Sequence, residues 1–503
     1  MNKKLHKMIK IRTNFLGLLV VVSLGLSCVK NGPQPTVPTL PNLTPGTSGG
    51  SSSAITVDAG VAQGNVMRFE QSNVHSTTSK LPSESSRLWI QSMNHKTIRT
   101  WLALRTIYNE GQNYKYSSDV QAETSLAFYS TCADSLLVAL TAYTPSPTLP
   151  LPGNGKGALF QTFIKQQIIY YKTKFPKIKY IQAGNEPDFA GETAAEYYET
   201  YKDYYKAVNA ANAELGLGGS STIRLSNAAF TSNTNFFTGT MAYANQFLAL
   251  YAADTDPGKR LDFFSINCYT EQTNPKLFET VKPQITAALA AKNITPRQVF
   301  VTEYGLVGGT FVPAAWVQSQ IMTAWPAAQL SKAFYLYEGG ADRVFNWAIS
   351  HGEIPHKSEL ADLTNTYPNP YGYAMMMAKS LSDRVTRIKA TSTKLTAQGL
   401  GINAVASMGN GKGIAVLVWN YNYTNFTPDQ EIKVQINNIP AASFPGKINV
   451  TVYYIDSKNN NIFNNPNQKS FTATSTDALN YSATLSIPLK LEGNSVAFIE
   501  LTP

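Results

Sequence analysis

Ile178-Lys179-Tyr180-Ile181-Gln182-Ala183-Gly184-Asn185-Glu186-Pro187-Asp188 is a short apolar strand that delivers a glutamate immediately after its last apolar residue. A helical pattern over 193–215 follows it. The same order recurs along the chain. Strands are predicted at 65–70, 97–103, 136–143, 178–184, 223–229, 263–269, 298–304 and 343–349. Helices are predicted at 159–174, 193–215, 235–253, 276–292 and 314–330. Strict alternation of strand and helix implies a parallel sheet. Eight such units imply an α/β fold closed as a (β/α)8 TIM barrel. The span 65–381 allots about 40 residues to each unit, normal for a barrel with loop insertions. An open, doubly wound sheet would advertise a glycine-rich phosphate loop after its first strand, and none is present.

Outward from the barrel, the texture changes on both sides. The helical pattern stops near Leu381, and short alternating segments follow at 414–420, 431–436, 447–455, 482–488 and 495–501, separated by Asn, Gly and Pro turns. That is the pattern of a β-sandwich. At the other end, Lys3, Lys4, Lys7, Lys10 and Arg12 precede the apolar run Phe15-Leu16-Gly17-Leu18-Leu19-Val20-Val21-Val22. The run is too short to span a bilayer, which takes about 20 residues, and reads as a secretory signal. Residues 29–56 are rich in Pro, Gly and Ser and read as a tether. The expected organisation is therefore a signal over 1–28, a tether over 29–56, a barrel domain over 57–385 and a sandwich over 386–503.

Composition narrows the class. Of 503 residues 43% are apolar and 15% charged, enough for a large core and too few charges for a disordered chain. The formal charge is +10, but removing the five basic residues of the leader leaves +5. No Lys/Arg block follows, so nucleic acid is not expected as a partner. Three cysteines, Cys28, Cys132 and Cys268, are too few for a disulfide framework. One bridge, Cys132 to Cys268, is left open. His75, His95, His351 and His356 show no ligand spacing, so no metal or other cofactor is expected. The absence of a Gly-x-Ser-x-Gly elbow argues against a serine hydrolase.

In a barrel the chemistry collects where strands end and the loops to the helices begin. Strand four ends in Asn185-Glu186-Pro187, and strand seven, Phe300-Val301-Thr302-Glu303-Tyr304-Gly305, also delivers a glutamate. The two lie 117 residues apart, three units at about 39 residues each. Strands four and seven face each other across an eight-stranded mouth, so two carboxyls converge on one bond. Glycoside hydrolysis needs such a pair: one carboxyl protonated to release the leaving oxygen, one ionised to attack the anomeric carbon.

Asn185-Glu186-Pro187 after an apolar strand resembles the acid/base signature of clan A glycoside hydrolases, a retaining (β/α)8 superfamily, and Thr302-Glu303-Tyr304-Gly305 resembles that clan's nucleophile strand. The resemblance implies Glu186 as acid/base and Glu303 as nucleophile, with Asn185 on the sugar 2-hydroxyl. Within the clan, three segments are similar to glycoside hydrolase family 39. They are Asp262-Phe263-Phe264-Ser265-Ile266-Asn267-Cys268-Tyr269, Arg343-Val344-Phe345-Asn346-Trp347, and the sandwich segment Val452 to Asn461. That family commonly has His where Asn267 stands, a residue that would line the glycone pocket. Gly184-Asn185-Glu186-Pro187-Asp188 is also similar to family 79 glucuronidases and heparanases. Leu24-Gly25-Leu26-Ser27-Cys28 resembles a bacterial lipobox, although Gly25 stands where Leu is usual. That resemblance implies lipidation of Cys28 and a membrane-anchored or secreted protein of the cell envelope.

Three more residues are expected at the site. Tyr269, at the end of strand six, is placed to donate to Glu303. Arg99 puts a cation inside a strand and needs a carboxylate partner, which by clan resemblance is Glu303. Trp347 is expected to be a sugar platform. Trp419, in the strand at 414–420, is expected to be core. The expected activity is a retaining O-glycosidase acting on a carbohydrate. A non-catalytic glycan-binding lipoprotein on the same barrel and a glucuronidase-like enzyme of the clan are the alternatives.

Overall fold

The computed structural model describes residues 44–45, 53–74, 81, 84–103, 120–141, 157–231, 236–306, 318–349, 368–409, 411–423, 430–468 and 470–503. The leader, Cys28, His75, His351 and His356 lie outside the described residues.

Two strands, β1 (Thr44–Pro45) and β2 (Ile55–Asn65), precede the barrel. The barrel strands are β3 (Ser72–Asn73), β4 (His95–Ala103), β5 (Ala133–Thr141), β6 (Ile178–Ala183), β7 (Arg224–Ser226), β8 (Phe263–Cys268), β9 (Gln298–Tyr304) and β10 (Arg343–Asn346). They close in the order β10-β3-β4-β5-β6-β7-β8-β9, every pairing parallel. Each strand is followed by one helix among the described residues: α1 (Glu84–Ser92), α2 (Val120–Cys132), α3 (Gly157–Lys174), α4 (Ala194–Glu214), α5 (Met241–Ala253), α6 (Val281–Ala290), α7 (Gln318–Glu338) and α8 (Pro370–Ser382). None of the described helices is long and apolar enough to cross a membrane.

The local causes are plain. Leu136-Leu137-Val138-Ala139-Leu140 in β5 is buried on both faces, as a strand between a filled barrel and a helix layer must be. Helix α4 begins with a capping box: Thr193 Oγ1 accepts from the Glu196 amide at 3.2 Å, and the Glu196 carboxylate accepts from the Thr193 amide at 2.9 Å. Its tyrosines 197, 201, 204 and 205 are buried at helical spacing, so they fill the core rather than face solvent. Inside the barrel Leu137, Tyr180, Phe263, Phe300 and Phe345 form one apolar, mostly aromatic cluster, the packed interior such barrels require. The Arg343 guanidinium lies 5.0 Å from the Tyr180 ring.

Strand β9 departs from regular alternation, and the departure aims the site. Ile266 pairs with Val301 but Asn267 pairs with Glu303, so one extra residue, Thr302, is accommodated in β9. The same skip recurs against β10, where Val344 pairs with Val301 and Asn346 with Tyr304. Val299 and Val301 face the helices, while Phe300 faces the barrel interior. Glu303 shares the parity of Val301 and would face the helices in a regular strand. The bulge turns it into the barrel mouth.

The remaining strands are β11 (Thr386–Ser392), β12 (Gly401–Met408), β13 (Ile414–Tyr421), β14 (Gln430–Asn437), β15 (Lys447–Ile455), β16 (Ser475–Asn480), β17 (Leu485–Leu491) and β18 (Ser495–Thr502). They join β1 and β2 in one sheet, ordered β1-β17-β14-β2-β11-β12-β13-β18-β15-β16, which packs on itself as a β-sandwich. Ile414, Val416 and Val418 of β13 face the sandwich core with Val434, Val450 and Ile487. The alternate residues Ala415, Leu417, Trp419 and Tyr421 join the barrel's core cluster.

One expectation is corrected, and the structure adds to two others. Residues 55–65 are not the end of a tether and the start of the barrel: β2 pairs with β11 antiparallel and with β14 in parallel, because Ile55, Val57 and Ala59 alternate into the sandwich core. Within the same supposed tether, Thr44–Pro45 pairs with β17. Trp419 is core as expected, and the core it fills lies across the domain boundary, 5.5 Å from the Phe334 ring of α7. Cys132 and Cys268 are both buried and free. Cys132 immediately precedes β5 while Cys268 ends β8, so they lie at opposite ends of a parallel barrel, far beyond the Cα separation of about 7 Å that a disulfide tolerates.

Candidate active site

The site is assembled from strand ends. After β6 the backbone turns sharply. Gly184 has φ +94°, a conformation open to glycine. Glu186 itself has φ +50°, uncommon for a side-chain-bearing residue. The Glu186 amide donates to the Ala229 carbonyl at 2.9 Å, which fixes this turn against the segment after β7.

Arg99, from β4, is the hub. It is wholly buried, and its guanidinium donates to four side chains: Glu303 Oε1 at 2.5 Å, Asn185 Oδ1 at 2.6 Å, Asn73 Oδ1 at 3.0 Å and Gln182 Oε1 at 3.0 Å. A buried cation needs such saturation. The Glu303 carboxylate is 4% exposed, and its second oxygen accepts from the Tyr269 hydroxyl at 2.6 Å. Both oxygens of Glu303 therefore face donors, one of them a cation.

Glu186 has a different setting. Its Oε1 accepts from Asn267 Nδ2 at 2.7 Å, and Asn267 Oδ1 in turn accepts from Thr302 Oγ1 at 3.0 Å, which fixes the amide's orientation. Burial and then the nearby charge of Glu303 push the Glu186 carboxyl up to about 8. The bond from Asn267 and the charge of Arg99 act in the opposite direction and lose. Two carboxyls in one mouth thus have opposite electrostatic surroundings, the arrangement that separates an acid from a nucleophile.

Trp347, just beyond β10, is 4% exposed and packs with Trp101, Ala139 and Ala348, with Tyr269 against the cluster. The Trp347 and Trp101 rings are 5.8 Å apart, tilted by 55°, and Arg99 lies 4.9 Å from the Trp101 ring. All seven residues singled out from the sequence, Arg99, Asn185, Glu186, Asn267, Tyr269, Glu303 and Trp347, are joined by these contacts. Cys28 lies outside the described residues.

Sequence reasoning passed over several partners. Asn73 and Gln182 orient Arg99; Gln182 is a polar residue inside an apolar strand, whereas Asn73 lies in a polar stretch that gave no signal. Asp188 accepts from the Thr231 amide at 2.8 Å, and burial pushes its carboxyl up to about 7. His95 is buried, and burial lowers its imidazole to about 4. No group of His, Cys, Asp and Glu among the described residues could hold a metal ion.

No protein-family model matches the sequence. No curated protein matches it. Solved structures do. A glucosidase from Croceicoccus marinus aligns with 90% of this chain and 99% of its own, at 15% identity and a TM-score of 0.65. A monomeric beta-xylosidase from Caulobacter crescentus CB15 aligns over 90% and 100%, at 14% identity and a TM-score of 0.64. The GH39 enzyme from Xanthomonas axonopodis pv. citri aligns over 89% and 97%, at 13% identity and a TM-score of 0.63. The fold, a TIM barrel with a C-terminal β-sandwich, is thus one that glycosidases use.

Proposed function

We propose that this chain is a retaining glycosidase that hydrolyses O-glycosidic bonds of oligo- or polysaccharides by double displacement. The observation that carries the reading is the contrast between the two carboxyls: Glu303 accepts from Arg99 and Tyr269, while Glu186, buried beside that charge, is held protonated up to about pH 8. The glycosidase folds reported above support the same class.

In the first step a Glu303 carboxylate oxygen attacks the anomeric carbon. The bond to the leaving oxygen breaks, and that oxygen takes the Glu186 proton. In the second step the Glu186 carboxylate takes a proton from water. The water oxygen attacks the anomeric carbon, and the bond to Glu303 breaks. Arg99 and Tyr269 stabilise the carboxylate when it leaves. Asn185 contacts the sugar 2-hydroxyl, and Asn267 and Trp347 line the glycone pocket.

The test is a screen of aryl glycosides and polysaccharides with residues 53–503. Glu186→Gln and Glu303→Gln run in parallel. Release of one sugar with retained anomeric configuration, reduced at least about a thousandfold in Glu303→Gln, supports the reading. Inverted product, or activity untouched by both substitutions, overturns it. Binding without turnover, unchanged in Glu186→Gln, favours the glycan-binding alternative.

A further inference from the structure

Lys332 is a buried charge that the mechanism above leaves unused. It lies on α7, has no exposure to solvent, and has no carboxylate within ion-pair distance among the described residues. Its ammonium donates instead to two main-chain carbonyls: Gly305 at 2.8 Å and Tyr269 at 3.2 Å. Those carbonyls lie just past the ends of β9 and β8, one two residues beyond Glu303, the other on the tyrosine that donates to it. The groups around Lys332 are the Cys268 thiol of β8, Glu271 in the loop after it and the Phe278 ring at 5.7 Å. Burial lowers the lysine to about 7. Such a residue is costly to bury, and a hydrocarbon in its place would take the donor from the Gly305 carbonyl and one of two donors from the Tyr269 carbonyl.

The packing behind β9 is tight on the same helix face. A Cβ on Gly305 would stand 2.6 Å from the amide nitrogen of Gln329, one turn before Lys332. The C-terminal half of α7 is seated on the C-terminal sheet. Phe334 packs on Trp419, the Tyr335 hydroxyl donates to the Gly399 carbonyl at 3.3 Å, and Glu338 pairs with Arg387 at 2.7 Å. The sheet also reaches the Tyr269 carbonyl by a second route. The Tyr421 hydroxyl of β13 donates to the Gln272 carbonyl at 2.9 Å, and the Gln272 side-chain amide donates to the Tyr269 carbonyl at 2.5 Å.

We propose that Lys332 is a positioning residue for the nucleophile, clamping the two strand ends that carry Tyr269 and Glu303, and that the C-terminal sheet completes this clamp through α7 and Tyr421. The proposal rests on the glycosidase reading. Lys332 touches no substrate. It acts by holding the Tyr269 hydroxyl on Glu303, whose other facing groups are Arg99 of β4 and Glu186 after β6.

The experiment compares Lys332→Met, Tyr269→Phe and the double variant with the parent, after the parent's activity and its loss in Glu303→Gln have been established. Weakening a donor to a carboxylate disfavours its charged form. In both single variants the acidic limb of kcat/KM therefore moves up by about one pH unit and kcat falls about tenfold, with KM little changed. The double variant is no worse than Tyr269→Phe, because both act on one bond. A melting temperature lowered with the acidic limb unmoved, or effects that simply add, would overturn the proposal. Tyr421→Phe, a milder change, gives the same direction of shift should Lys332→Met fail to fold. Hydrogen exchange over 268–273 and 303–306 needs no activity: faster exchange in Lys332→Met supports the clamp and unchanged exchange overturns it. An inactive parent sinks the glycosidase reading alone.

Discussion

At the residue scale, chemistry is divided between two identical side chains by what surrounds each. Glu303 accepts from a guanidinium and a phenol. Glu186 accepts from one neutral amide and is raised by burial and by the charge of Glu303. A carboxyl raised to about 8 is protonated, and so able to serve as acid, throughout the neutral range. The basic limb of kcat/KM therefore falls with a midpoint near pH 8, and that limb disappears in Glu186→Gln assayed on an aryl glycoside whose leaving group needs no protonation. Stability carries the same sign. A raised carboxyl contributes stability below its unfolded value, near 4.5, which is lost as pH rises through 8. Glu186→Gln accordingly melts about 2 °C above the parent at pH 8 and level with it at pH 4. A pH–rate profile and thermal melts at the two pH values check both halves. The two glutamates were legible in the sequence because each follows an apolar strand. Asn73, Gln182 and Lys332 were not, because a buried polar residue carries in the sequence no mark of the partner that justifies its burial.

At the element scale, the strand that carries Glu303 works because it is irregular. The extra residue at Thr302 brings Glu303 to the inner face, and the chain then presses against α7 at Gly305. A methyl group there must displace the side-chain amide of Gln329, a fully buried residue. Gly305→Ala costs about 1–3 kcal/mol of stability, as overpacked sites do, and lowers kcat/KM by moving the end of β9. Adding Gln329→Ala recovers a large part of both losses. Denaturant unfolding and kinetics of the two single variants and the double check this, and simple additivity would sink it. The short apolar run Val299-Phe300-Val301 predicted the strand at 298–304 but could not show the bulge, since an apolar run says nothing about where its pairing slips. The first barrel strand was harder still. Only Ser72 and Asn73 pair, both buried polar residues without an apolar signature, so the expectation settled on the more apolar 65–70 just before them.

At the scale of the whole molecule, the sequence order of domains is not their spatial order. Strand β2, N-terminal to the barrel, lies between β14 and β11 of the C-terminal sheet, so the chain enters the sandwich, builds the barrel and returns. A pairing between residues more than 300 positions apart leaves no local trace, which is why a boundary at 57 looked natural. Alternate residues of β13 belong to different cores: Val416 and Val418 to the sandwich, Leu417 and Trp419 to the barrel's helix layer. Further ties cross from α8, where the Ser380 hydroxyl donates to Glu500 at 2.7 Å, and from Arg384, which pairs with Glu500 at 3.1 Å. A strand buried on both faces by two different cores couples their unfolding. Calorimetry of residues 53–503 therefore gives one cooperative transition, with its calorimetric and van't Hoff enthalpies equal. A fragment ending at 385 loses the partners of β2 and exposes the apolar face of α7 around Phe334, so it is recovered unfolded or aggregated. Two separable transitions, or a soluble fragment with the parent's activity, would show instead that the sheet is an independent appendage and that the barrel alone holds its nucleophile in place.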